Sequence, residues 1–283
     1  MTTDAVAATR GRGSAWEPPA HPSALAGFGA LLLRDLRVLR KDWVAFLVGS
    51  LMQPLLLVFV FTYVLPKVGL AVGGGARAGD YSTLLVAGVV GLSMFMQGLQ
   101  GVTVGLAIEF GYTREIEDRM MAPLPVWAVA VEKMTAGAVQ ALVAGAVVFP
   151  IAAVVPATAV NLHLDAPALL GIGLLAALLS AVVGMVVGTL IDPGHIQLAF
   201  GAIVLPVTFL GAVYYPWAAL TPIPWLKGLA LANPLVYISE GLRGALTVGV
   251  PHMRLWVVAA AMTGFILALG AVAIRGFRRR VID

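Results

Sequence analysis

Long apolar stretches separated by short polar ones dominate this chain. Six of them approach or exceed the roughly 20 residues needed to cross about 30 Å of hydrocarbon. They are Trp43–Leu65, expected to be broken by Pro54, then Leu84–Phe110, Met134–Val155, Leu169–Ile191, Ile196–Tyr214 and Leu255–Ile274. The segment before the first span has a different rhythm. Leu25, Phe28, Leu32, Leu36, Leu39 and Trp43 recur at spacings of three and four, which gathers them on one helical face. Arg34, Arg37 and Lys41 project from the other face, and Ser23 is placed to cap the start. Residues 23–42 therefore read as an amphipathic helix. It suits the membrane interface, with its basic face toward anionic headgroups, and it equally suits packing against the protein's own end. Residues 1–22 are polar and dotted with proline and glycine, as in a disordered tail. No apolar core follows their basic residues directly, so no signal peptide is expected.

The pattern changes again at 215–251. This segment is apolar but holds Pro216, Pro222, Pro224 and Pro234, and it is too short for two crossings. Two half-depth helices fit better. Pro224 can open the first, and Asn233-Pro234 is a cap followed by proline at the first helical position of the second. Glu240 and Arg243 then fall three apart on one face and can pair. Such a re-entrant hairpin must be buried in protein or line a cavity. An apolar loop resting on the headgroups is the alternative.

One charged island lies between the second and third spans. Arg114, Glu115, Glu117, Asp118 and Arg119 fall within six consecutive positions. Each charge at the bilayer centre costs roughly 2.5–3.5 kcal/mol on insertion scales, so the island lies outside the hydrocarbon. Residues 113–121 can form a short helix that Pro123 and Pro125 end. It reads as a docking surface or as a solvated loop.

Composition agrees with the pattern. The 283 residues are 60% hydrophobic and only 11% charged, with a mean hydropathy of +0.96, whereas soluble domains carry about 25% charge. The expected class is an all-α integral membrane protein. Cysteine is absent, which excludes disulfides and thiolate chemistry. Lys and Arg concentrate at the two ends and in the segments around the island. The positive-inside rule thus places both termini and the island in the cytoplasm. The net charge of +4 fits orientation better than nucleic-acid binding.

Several chemistries lack their residues. No G-x-x-x-x-G-K-[ST] loop is present, so the chain does not bind ATP by that route, and H-E-x-x-H is absent. The four histidines are scattered, and no metal site is expected. No ionisable residue falls at an expected midplane, which argues against a proton- or sodium-coupled secondary transporter. The polar residues within spans are Gln53, Gln97, Gln100, Thr103, Gln140, Gln197 and Thr208. With Met94 and Phe95, the residues Gln97, Gln100, Gln140 and Thr208 are candidates for a translocation pathway, since thioethers and aromatics repack around varied ligands. Plain helix packing is the other reading. The same holds for the glycine pairs Gly101/Gly105 and Gly184/Gly188, whose spacing lets helices approach closely.

In this order, the amphipathic helix, six spans, island and hairpin resemble the ABC-2 type permeases, the membrane subunits of ATP-binding-cassette exporters. The likeness runs from about Ser23 to Arg280, within a transmembrane domain of residues 43–283. The stretch 111–125 looks like that family's coupling segment, with Arg114, Glu115, Glu117, Asp118 and Arg119 as its docking residues. The segment 215–251 looks like its re-entrant signature, with Pro224, Asn233, Pro234, Glu240 and Arg243 forming an external gate. Ile116-Glu117-Asp118 departs from the usual acidic-Gly-Thr pattern and leaves the docking contacts open.

The resemblance implies a non-enzymatic permease in a bacterial plasma membrane. It implies a second permease copy, identical or related, and two separate ATPase subunits carrying ATP and magnesium, with no cofactor in this chain. Within the family, the length and short loops look like the daunorubicin-type drug exporters, implying a hydrophobic small molecule or lipid as substrate. Polysaccharide or glycolipid export is the neighbouring alternative, and an ATP-independent secondary transporter the more distant one.

Overall fold

The computed structural model describes residues 24–41, 43–68, 78–113, 125–156 and 160–282. The island Arg114–Arg119 lies outside the described residues, as does the tail 1–22. Nine helices account for most of what is described: α1 (Ala24–Lys41), α2 (Trp43–Phe59), α3 (Ala78–Ile108), α4 (Val126–Val154), α5 (Ala166–Leu190), α6 (Ile196–Leu210), α7 (Pro224–Ala230), α8 (Pro234–Leu246) and α9 (Leu255–Ile282). Among these residues the β contribution is one isolated bridge, Leu162 with Thr247.

Four helices, α3, α4, α5 and α9, are long and apolar enough to cross a membrane, while Met52–Val64 and Phe200–Leu210 form shorter apolar helices. The fifth expected span is therefore a weak one. α6 has 15 residues, about 22 Å at 1.5 Å per residue. It stops where Gly211 is followed by Ala212 at φ 53°, a left-handed conformation that ends helices. Pro54 does not break α2, contrary to expectation. Proline removes one backbone bond, and neighbouring groups in membrane helices commonly make up that loss. The irregularity comes later, as a π-helical turn at Val60–Val64 that leads into Leu65–Lys67.

α1 follows its sequence pattern except at Trp43, which opens α2 and is 58% exposed. Phe28, Leu32, Leu36 and Leu39 are half-buried while Arg34, Arg37 and Lys41 are exposed, and the helix packs on α4 and α2. α1 is thus packed against the protein.

α3 is the central element. It is buried along nearly its whole length and packs against α5, α4, α8 and α2. Small residues set its distance from α5. A Cβ added at Gly184 would come 2.7 Å from the Leu99 carbonyl oxygen, and one at Gly98 would come 2.6 Å from the Ser180 Cβ. Thr103 Oγ1 donates to the Gly184 carbonyl at 2.9 Å across this interface. The backbones meet directly, as small residues permit. Gly105 is different, since a Cβ there would meet nothing within 4 Å.

The hairpin forms as two helices of unequal placement. α8 enters the bundle between α3, α5 and α9, and eleven of its thirteen residues are buried. α7 stays at the surface, with Trp225 71% and Leu229 54% exposed. The segment is thus no loop lying on the molecule.

Candidate functional site

The hairpin is held by a chain of polar contacts. Asn233 caps α8, its Oδ1 accepting from the Leu235 amide at 3.0 Å, while its Nδ2 donates to the Val207 carbonyl of α6 at 2.7 Å. Pro234 and Pro224 stand in the first turns of α8 and α7, where a missing N–H costs nothing. About two turns into α8, Arg243 Nη1 meets Glu240 Oε1 at 2.5 Å, with side chains 0% and 1% exposed.

The pair also serves the backbone around it. Glu240 Oε1 accepts from the Trp217 amide and Oε2 from the Met253 amide, both at 2.8 Å. Arg243 Nη2 donates to the Ala212 carbonyl at 2.8 Å. Three segments distant in sequence are therefore pinned to one helix turn. Ala212 needs such a partner, because a non-glycine residue at positive φ is strained.

A second polar centre lies at the opposite ends of α3 and α4. Lys133 Nζ contacts Glu109 Oε1 at 2.6 Å and Asp35 Oδ2 at 2.8 Å. α4 begins at Val126 rather than near Met134, which brings Lys133 inside the helix. Glu109 opens the π-helical turn Glu109–Thr113 that follows α3, and Asp35 belongs to α1. One ammonium thus joins α1, the turn that follows α3, and α4. Nearby, Arg280 Nη1 donates to the carbonyls of Gly188 and Ile191 at 3.1 and 2.8 Å. That places a cation on the C-terminus of α5, where the helix dipole favours it. The Arg280 guanidinium also stacks over the Phe110 ring at 5.0 Å.

The pathway candidates do not converge. Consecutive helix positions diverge by about 100°, and α3 sends its candidates in different directions. Met94 is buried and touches Gly145 of α4. Phe95 is buried in a cavity with Val183, Val207 and Phe265. Gln140 lies against Gly101, and Thr208 is buried on α6. Gln97 and Gln100 instead join Gln53 in a narrow cleft between α2 and α3. Gln100 also lines a groove of about 400 Å³ with Val104, Phe200, Gly201, Val204 and Leu205. Gln53 and Gln100 are exposed. Above this face, Phe61 of the π-helical turn stacks on Tyr214 at 5.8 Å. Sequence reasoning missed Gln53 as a partner of the α3 glutamines, and it missed the Lys133 centre. A lysine and a glutamate at facing ends of consecutive spans was the available signal.

An all-helical bundle of long apolar helices, with an intruding half-helix and ion pairs at both ends, defines a polytopic membrane protein. The chain belongs to the ABC-2 type transporter family, whose profile matches residues 26–247. It is 27% identical over 177 residues to the inner membrane transport permease YadH of Escherichia coli strain K12, a match covering 60% of this chain and 66% of that protein. The same figures hold for the inner membrane transport permease YadH of Shigella flexneri. The chain spans about two thirds of the length of these curated relatives.

Proposed function

We propose that this chain is the permease of an exporter powered by ATP hydrolysis on separate subunits. Two ABC ATPases dock at the Lys133 end, and a second permease copy, identical or related, completes the pathway. The cargo is a hydrophobic small molecule of drug or natural-product type, or a lipid, moved outward from the cytoplasm or inner leaflet, as in the daunorubicin-type branch. In this reading α2 and α6 cross the bilayer together with the four long helices, giving six crossings. The distribution of Lys and Arg then puts both termini and the island on the cytoplasmic side of a bacterial plasma membrane.

The carrying observation is the glutamine cluster on an otherwise apolar exposed face. Gln53 and Gln100 are exposed beside Met52, Leu56, Val104 and Leu205, all exposed apolar residues. Amides facing acyl chains are costly, so such a face belongs against water or another protein. Two copies related by a two-fold axis would close their grooves into one conduit. Phe61 and Tyr214 would then mark its constricted end.

Transmission uses the Lys133 centre. The island runs between Glu109 and Pro125, and its first flank is tied through Lys133 to α1 and α4. A displacement of the island by ATPase closure would move these elements together, which is what a two-state permease needs.

The test uses the cysteine-free chain. Gln100→Cys is reconstituted with the cognate ATPase, and transport of a fluorescent hydrophobic drug is followed before and after a bulky thiol reagent. Transport should stop on modification. Unchanged transport by fully labelled protein removes this face from the pathway.

A further inference from the structure

An apolar groove of about 310 Å³ opens on the wall formed by α4 and α5, and α3 and α8 close it from behind. It shares no lining residue with the glutamine cleft and groove. Every residue that lines it is aliphatic, aromatic, thioether or glycine. Its floor is Met94 of α3 and Leu242 of α8, 4% and 1% exposed, and its mouth is Ala146, Leu170 and Leu174, all exposed. Glycine makes the room, since Gly173 is buried and a Cβ there would meet nothing within 4 Å.

Chemistry and size narrow the occupant. Water finds no side-chain partner in the groove, and a pocket lined by apolar groups stays dry. From Phe149 to Leu142 the groove runs about 10 Å along α4, which with its volume makes a bore about 6 Å across. A helix with its side chains measures roughly 10–12 Å across, so neither a partner's span nor one from a second copy enters. A hydrocarbon chain does. The mouth lies between Leu170 and Leu174, 68% and 58% exposed, on a helix long and apolar enough to cross a membrane. Acyl chains are therefore the medium that faces it.

We propose that this groove seats one acyl chain of a bilayer lipid, which enters between Leu170 and Leu174 and ends on Met94. No charged or polar side chain lines the groove, so the seat selects the chain and not the head. Met94, one of the candidate pathway residues, is its floor. The seated chain completes the packing of α8, whose Leu242 and Leu246 border the groove, and so ties the re-entrant helix to α4 and α5. This site does not depend on the export reading.

The test is photo-crosslinking of the full chain in proteoliposomes, with phosphatidylcholine or phosphatidylglycerol carrying a diazirine on one acyl chain, and labelled residues mapped by peptide mass spectrometry. Chains of the surrounding bilayer label exposed positions such as Leu267 of α9, 69% exposed. A seated chain should also label the buried Met94 and Leu242, equally with the two heads. Gly173→Leu fills the groove and should lower labelling at Met94 about tenfold, the effect expected of overpacking, with labelling at Leu267 unchanged. Ala146→Phe blocks the mouth and gives the same reading if Gly173→Leu fails to fold. Wild-type labelling confined to exposed residues, labelling of Met94 that persists in both variants, or labelling of Met94 by only one of the two heads overturns the proposal.

Discussion

Glu240 and Arg243 form an ion pair one helical turn apart, fully enclosed by protein, and each also bonds backbone outside their own helix. Charges so placed are costly to bring out of water, and close pairing with added hydrogen bonds offsets that cost. Here the pairing is extended by two amides and a carbonyl. The pair therefore shapes the hairpin as well as neutralising itself.

Removing one partner should be expensive. Arg243→Met leaves Glu240 charged and buried, with an expected loss of about 3–5 kcal/mol. Glu240→Gln with Arg243→Met should recover part of it, because no net charge remains. Thermal unfolding in detergent, read as a double-mutant cycle, measures the coupling. Additive losses would show that the two residues act independently.

Gly184 and Gly105 should respond oppositely to substitution. Gly184→Val forces α5 away from the Leu99 carbonyl and should cost about 1–3 kcal/mol by overpacking. Gly105→Ala enters open space and should fall within about 1 kcal/mol of the wild type, on the stabilising side, given the helix propensities. Unfolding midpoints of the two variants decide it.

The Lys133 centre should control how firmly α1 is seated. Asp35→Ala removes the contact to α1 while Glu109 still holds Lys133. A cysteine introduced at Leu39, which lines a cavity between α1, α3 and α4, should then label several-fold faster in a chain with no native cysteine. Labelling at the wild-type rate would mean that apolar packing alone seats the helix.

Local chemistry was readable from the sequence, and distant pairing was not. The hairpin could be read because its signals are neighbours: Asn233 before Pro234, and Glu240 three residues before Arg243. Lys133 reaches residues 24 and 98 positions away, and no local pattern announces such partners. The glycine pairs looked alike, yet a spacing of four gives a shared face without saying what lies opposite it. Likewise, the run from Met94 to Gln100 could not be sorted until the neighbours of α3 were known. Its buried members face protein, while Gln100 faces the groove.

The island supplies the next expectation. If Glu117 and Asp118 dock in the ATPase, reversing both to lysine should weaken the complex by about 2–5 kcal/mol, the cost of breaking close interfacial charge pairs. Exposed pairs are worth only about 0–1 kcal/mol. Co-purification of the ATPase at low and high salt reads the difference. Equal retention of the ATPase by both proteins would remove the island from the interface.

The central claim is that ATP hydrolysis on a separate subunit drives cargo through this chain. Its most direct test is transport of a fluorescent hydrophobic drug into inside-out proteoliposomes holding the permease and its cognate ATPase. Drug should accumulate only with hydrolysable ATP, and both an ATPase inactivated at its P-loop lysine and a permease with Glu117 and Asp118 reversed to lysine should abolish accumulation. Equal accumulation without ATP, or with the inactivated ATPase, would contradict the account.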